Sequence, residues 1–200
     1  IKPSEKILKD AKGNLSYSVW PSLSENKNLM IFIHGTGAHK KWWYPIAPQF
    51  VNYSNVIAVD LPGMGDSGFR EKYSIKDFGQ CIISIIEKEK SNMNIDNISI
   101  IGHSLGGQVA GYVASEEKNL VSNLIMIDTF IRPPDWDPSQ NEGGPLRMIK
   151  YYPDKTTILN RFRLLPQQEC DNEWFVRYIS EHSVRKTSEG WRWKFDDSMF

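Results

Sequence analysis

The chain has 200 residues, 40% of them hydrophobic, with 24 Lys plus Arg against 24 Asp plus Glu, so its formal net charge is zero. That length suits one domain with a sizeable core, and the composition lies far from the disordered regime. Balanced charge without a basic stripe excludes a surface built for nucleic acid or for an acidic membrane. Cys81 and Cys170 lie far apart without metal-ligand spacing, so they read as ordinary thiols of a reducing, cytoplasmic compartment. No apolar stretch approaches a membrane span and no secretory h-region opens the chain, although it begins at Ile1 rather than Met.

In chain order, residues 15–20 alternate at period two behind a turn at 11–14, which predicts a hairpin with Ile7 and Leu8. Residues 29–33 form a continuous apolar run, the pattern of a strand buried on both faces, and residues 56–59 repeat it. Ser74, with Asp77 three positions on, opens a helix whose apolar face is Phe78, Cys81, Ile82, Ile85 and Ile86. Residues 98–101 and 124–127 are two more buried strands with a helix between them. Buried strands alternating with helices predict an α/β fold with a mostly parallel, doubly wound sheet covered on both sides. After Asp128 the texture changes, and the Pro-rich stretch 133–138 is neither regular helix nor central strand. Asp171 and Asn172 are cap candidates for a helix carrying Trp174, Phe175, Tyr178 and Ile179, and residues 191–195 alternate as one arm of a hairpin. The division this suggests is a core over residues 1–130 and a mainly helical cap over 131–200, lying over the active end of the sheet.

Residues 102–107 read Gly-His-Ser-Leu-Gly-Gly, directly after one buried strand and directly before a small-residue helix. A serine in such a strand-turn-helix context is held in a strained conformation that lifts its hydroxyl above the sheet, and glycines two residues away let the chain pass itself. Ser104 is therefore the candidate catalytic nucleophile, with the helix N-terminus aimed at developing negative charge. The blander reading is a glycine-rich turn whose serine caps a helix.

Two further motifs stand in register with it: His34-Gly35-Thr36-Gly37 after the first buried strand, and Asp60-Leu61-Pro62-Gly63-Met64-Gly65-Asp66-Ser67-Gly68 after the next. With these three motifs in this order the chain resembles the α/β-hydrolase superfamily, in its lipase- and esterase-like branch with a cap. The resemblance is close over residues 15 to 130 and loose over the cap. It implies an oxyanion hole made by the backbone N–H groups of Thr36 and Leu105, no metal and no cofactor. It also implies that His34 braces the oxyanion loop rather than acting as a base. The side chain of His103 is expected to point away from the attacking hydroxyl, and His39, beside Lys40 and Lys41, reads as a solvated or rim residue. Asp60 and Asp66 are expected to hold their loop through backbone amides. Trp42, Trp43, Trp136 and Trp174 are candidates for an acyl pocket, or for plain packing.

A hydrolase of this kind needs a histidine to take the serine proton and a carboxylate to orient it. The family order is nucleophile, acid, histidine, with the last two on loops after the seventh and eighth strands. Only His182 follows Ser104 in the chain, and its context is the end of a cap helix. The expectation is that the final core strands, and the catalytic histidine with them, lie beyond Phe200 and are absent from these 200 residues. Asp128, at the end of the sixth strand, is the one acid candidate inside the chain; its alternative role is to fix the exit into the cap. The reading is a serine hydrolase of a small-molecule carboxylic ester or related acyl bond, working through a Ser104 acyl-enzyme. Hydrolysis of a carbon–carbon bond in a ring-cleavage product, and binding of an acyl ligand without turnover, are the alternatives.

Overall fold

The computed structural model describes residues 1–131, 149–164 and 167–199. Strands β1 (Ser4–Asp10) and β2 (Gly13–Trp20) pair antiparallel around a two-residue turn, Ala11-Lys12. The Lys12 N–H donates to the Asp10 carboxylate, and Gly13 takes a φ of 137° that suits glycine. β3 (Asn28–Ile33), β4 (Asn55–Val59), β5 (Asn97–His103) and β6 (Asn123–Ile127) follow, and the six-stranded sheet runs β1-β2-β4-β3-β5-β6. β2 meets β4 antiparallel, while β4, β3, β5 and β6 are mutually parallel. The order reverses at β3, whose neighbours are β4 and β5. That switch opens a crevice beyond the carboxyl ends of the strands, the position where open α/β sheets bind ligands.

Helix α1 (Ile75–Asn92) starts at Ser74, whose hydroxyl oxygen accepts the Asp77 N–H, as the sequence predicts. It packs with α2 (Leu105–Glu116) on one face of the sheet, around Ile31, Ile33, Val59, Phe78, Ile82, Ile85, Ile100 and Val109. The other face is covered by two 3₁₀ turns, Lys40–Trp43 and Ala47–Phe50, which bury Trp43 and Ala47 on Trp20, Phe32 and Ile101. α3 (Lys155–Leu159), α4 (Glu173–His182) and a hairpin of β7 (Val184–Thr187) with β8 (Gly190–Trp193) complete the described chain. Asn172 caps α4 by accepting the Phe175 N–H, and Trp191 and Trp193 lie in the expected hairpin arm. None of the described helices is long and apolar enough to cross a membrane.

One expectation fails in an informative way. The apolar run of β6 predicts burial on both faces, yet Leu124, Ile125 and Ile127 are 40%, 50% and 42% exposed. Among the described residues β6 pairs only with β5, so its far edge presents unpaired backbone groups beside apolar side chains. No seventh strand of this sheet is found among the described residues, and the hairpin near the end of the chain forms a sheet of its own. Phe200, beyond which the last core strands and the catalytic histidine are expected, itself lies outside the described residues. The 200-residue chain is accordingly expected to self-associate in sedimentation experiments, and Ile125→Lys to reduce the association. A monodisperse wild-type chain would show that this edge is covered.

Candidate active site

The site is built on the switch-point loops. Ser104 adopts φ 50° and ψ −117°, in the left-handed half of conformational space that non-glycine residues avoid. The strain is held from both sides: the Ser104 N–H donates to the Ile127 carbonyl at 2.9 Å, and its own carbonyl accepts the N–H groups of Gly107 and Gln108. The flanking glycines have the expected steric cause. A Cβ on Gly102 would strike the backbone of Gly106, and one on Gly106 would strike the carbonyls of Ile33 and His34.

The second wall is the loop after β3. A Cβ on Gly35 would lie 3.3 Å from the Ser104 Cβ and 2.8 Å from His103 Nδ1, so this loop reaches the elbow only because position 35 has no side chain. His34 is buried, and both its ring nitrogens are occupied. Nε2 accepts the Leu61 N–H at 3.1 Å, so the ring proton sits on Nδ1 and is donated to the Gly35 carbonyl at 2.7 Å. Burial holds its pKa below the ordinary value, against the pull of Asp60. The Gly37 N–H points to Met64 Sδ, a partner that the motif alone does not reveal. The Thr36 and Leu105 amides have no protein acceptor among the described residues, and both residues line an open groove of about 680 Å³ with Tyr73, Phe78, Gln108 and Met126.

A family model for the alpha/beta hydrolase fold matches residues 28–169. The chain belongs to this family. The pimeloyl-[acyl-carrier protein] methyl ester esterase of Pseudoalteromonas atlantica is 31% identical over 128 residues, which are 60% of this chain and 46% of that protein. The esterase of the same name from Proteus mirabilis is 29% identical over 108 residues, 54% of this chain and 39% of that one. Among solved structures, the thioesterase domain from the curacin biosynthetic pathway superposes with a TM-score of 0.76 at 22% identity. That superposition covers 98% of this chain and 73% of the domain. The chain thus spans less than half the length of the curated relatives it matches and about three quarters of this structural neighbour.

The remaining candidates of this α/β hydrolase fall in varied places. Asp128 stands at the end of β6 with φ 46°, exposed, and its carboxylate bonds no histidine among the described residues. His182 ends α4, donates Nδ1–H to the Tyr178 carbonyl at 2.8 Å and lies tilted against the Tyr178 ring, 4.4 Å between centres. Neither it nor His103 makes a hydrogen bond to Ser104. His39 departs from expectation, since it is 3% exposed and bonds the Ser183 hydroxyl at 3.1 Å and the Ile179 carbonyl at 3.3 Å. Lys40 beside it is buried as well, on Asp60, Glu5 and Ser16. Asp60 binds the amides of Lys40 and Asp66 as predicted, whereas Asp66 instead pairs with Lys194 at 2.5 Å. Trp43 is core, Trp42 packs against Phe175, Trp174 is 61% exposed, and Trp136 lies outside the described residues. No group of three or more His, Cys, Asp or Glu gathers as a metal site among the described residues.

Proposed function

We propose that this protein is a serine hydrolase that cleaves a carboxylic ester or related acyl bond through an acyl-enzyme on Ser104. The observation that carries the reading is the strained Ser104 turn next to a groove lined by Thr36 and Leu105, whose amides have no protein acceptor among the described residues. The Ser104 Oγ adds to the carbonyl carbon, its proton passes to a general base, and the carbonyl oxygen becomes an oxyanion received by the two N–H groups. Collapse expels the alcohol or thiol as the base returns the proton, and water then releases the acid by the same steps. Because both donors belong to backbone fixed by β3 and β5, they need no rearrangement as charge develops. One such donor is worth roughly 10²–10³ in turnover.

In this reading the base comes from beyond Phe200. His34, His39 and His182 are held in other arrangements, and His103 makes no hydrogen bond to Ser104. Asp128 is retained as the candidate for the orienting carboxylate, and residues 131–200 as the cap. Relatives named as methyl ester esterases support the ester class. The test is labelling with a fluorophosphonate probe. In a protein that supplies the base, Ser104 is labelled and Ser104→Ala abolishes the signal. The 200-residue chain itself should turn over an activated aryl ester barely above background, because losing the histidine of such a unit costs on the order of 10⁶. His182→Ala should change nothing. Labelling that survives Ser104→Ala, or rapid turnover by residues 1–200 that His182→Ala removes, overturns the assignment.

A further inference from the structure

The loop after β3 is tied to the loop after β4 on either side of Thr36. His34 Nε2 accepts the Leu61 N–H at 3.1 Å, and the Gly37 N–H is donated to Met64 Sδ at 3.2 Å. Each tie orients a peptide group. A trans peptide is planar, with its N–H directed opposite to its C=O, so fixing one end fixes the other. The Gly35 carbonyl accepts His34 Nδ1–H at 2.7 Å and the Ala38 N–H at 3.2 Å, which turns the Thr36 N–H the other way. On the far side of Thr36, the bond to sulfur fixes the Thr36–Gly37 peptide, where glycine takes a φ of 70°. Of the amides at residues 36–38, those of Gly37 and Ala38 are engaged, and that of Thr36 is left for a ligand.

A thioether is a weak acceptor, and leucine fills a core position about as well as methionine, so packing alone does not account for sulfur here. Met64 is fully buried, with its own N–H bonded to the Leu61 carbonyl and its carbonyl to the Ser67 N–H. Its place is also set from the end of the described chain. Phe195 forms an antiparallel bridge with Met64, and the Asp196 N–H donates to the Gly63 carbonyl at 2.8 Å. The Tyr73 hydroxyl in turn donates to the Asp196 carboxylate. We propose that Met64 is a positioning residue of the active site: its sulfur holds the Gly37 peptide so that the Thr36 N–H faces the oxyanion, and residues 195–196 hold the sulfur in place. The inference rests on the reading of Ser104 as nucleophile and of Thr36 as an oxyanion donor. It adds that a segment outside the elbow and outside the oxyanion loop sets the geometry of both through one side chain.

Met64→Leu removes the acceptor at nearly constant volume. Both it and its parent are studied as whole chains carrying Ile125→Lys to limit association. Amide hydrogen exchange, followed residue by residue by NMR, reads the tie. Gly37 should exchange at least fivefold faster in the variant, while the Leu61 amide, held by His34, keeps its rate; a general loosening would speed both. Phenylboronic acid reads the geometry without turnover. The Ser104 Oγ bonds to boron, its proton passes to the buffer, and the tetrahedral boronate carries its negative charge where the oxyanion would sit. Met64→Leu should weaken this adduct about tenfold, a fraction of what a whole donor is worth. Asp196→Ala, which leaves position 64 unchanged, should move both readouts in the same direction by less. Equal Gly37 exchange, equal speeding of Leu61, or an unchanged adduct affinity in Met64→Leu overturns the role of Met64 and leaves the Ser104 assignment standing. A parent chain that forms no tetrahedral adduct, or one that survives Ser104→Ala, overturns the Ser104 reading and this role with it.

Discussion

Replacing Lys40 by methionine is expected to lower the unfolding free energy by about 3–5 kcal/mol, the loss that follows when one partner of a buried ion pair is removed. Lys40 is 2% exposed, although it follows a histidine and precedes a second lysine in what reads as a polar turn. Its Nζ lies 3.2 Å from the Asp60 carboxylate, 3.1 Å from that of Glu5 and 2.5 Å from the Ser16 hydroxyl. Burial alone would pull the ammonium pKa down, but Asp60 and Glu5 outweigh it and hold it above its ordinary value. The cluster also joins chain segments. Asp60 accepts the N–H groups of Lys40 and Asp66, and Tyr44 reaches Glu5, so the β1 strand, the loop after β3 and the loop after β4 meet at one ammonium. Methionine fills the space but leaves Asp60 charged and buried. Urea unfolding at low protein concentration measures the loss. Adding Asp60→Asn should cost less than the sum of the single changes, because the two groups share one interaction. A loss below about 1 kcal/mol for Lys40→Met would mean that the carboxylates find other partners.

The contrast between Ser104 and Lys40 shows what a sequence of this kind discloses. The elbow is legible because its constraint is local: glycines at 102 and 106 are required by atoms within a few residues or one strand away. The same holds for the Ser74 cap, the Ala11-Lys12 turn and the hairpin arm at Trp191 and Trp193. Burial of His39 and Lys40 is imposed from a distance. Ser183 and Ile179 come from 144 and 140 residues along the chain, and Glu5 from the edge strand β1. Nothing in the polar run His39-Lys40-Lys41 encodes that covering. β6 errs the other way, since its apolar side chains signal a burial that the described residues do not supply.

Acidification from pH 6.5 to 4.5 should destabilise the chain, and His39 should account for much of the loss. The Ser183 hydroxyl donates to the Ile179 carbonyl at 2.8 Å, so its oxygen is free to accept, and His39 must present Nε2–H to it. The ring is thus neutral and satisfied. Burial pushes its pKa down to about 3, helped by the neighbouring His34, Lys194 and His182, which would repel a second proton, and opposed by the Ile179 carbonyl. In the unfolded chain a histidine titrates near 6.5. Between those two values the unfolded chain holds a proton that the folded chain refuses, so stability rises with pH and falls as acid is added. The slope is about 1.4 kcal/mol per pH unit for one histidine. His34 and His182, also depressed by burial, contribute in the same direction. The depressed carboxylates of Glu5, Asp66 and Glu89 lose their contributions only as pH falls through and below their ordinary range, which leaves the upper part of the window to the histidines. His39→Gln retains an N–H donor but cannot take a proton, and the slope between pH 6.5 and 5 should fall by about a third. Thermal or urea unfolding at several pH values measures it. A wild-type stability that is flat over this range, or a slope that His39→Gln leaves intact, would show that His39 is protonated in the folded chain and that its contact with Ser183 survives the charge.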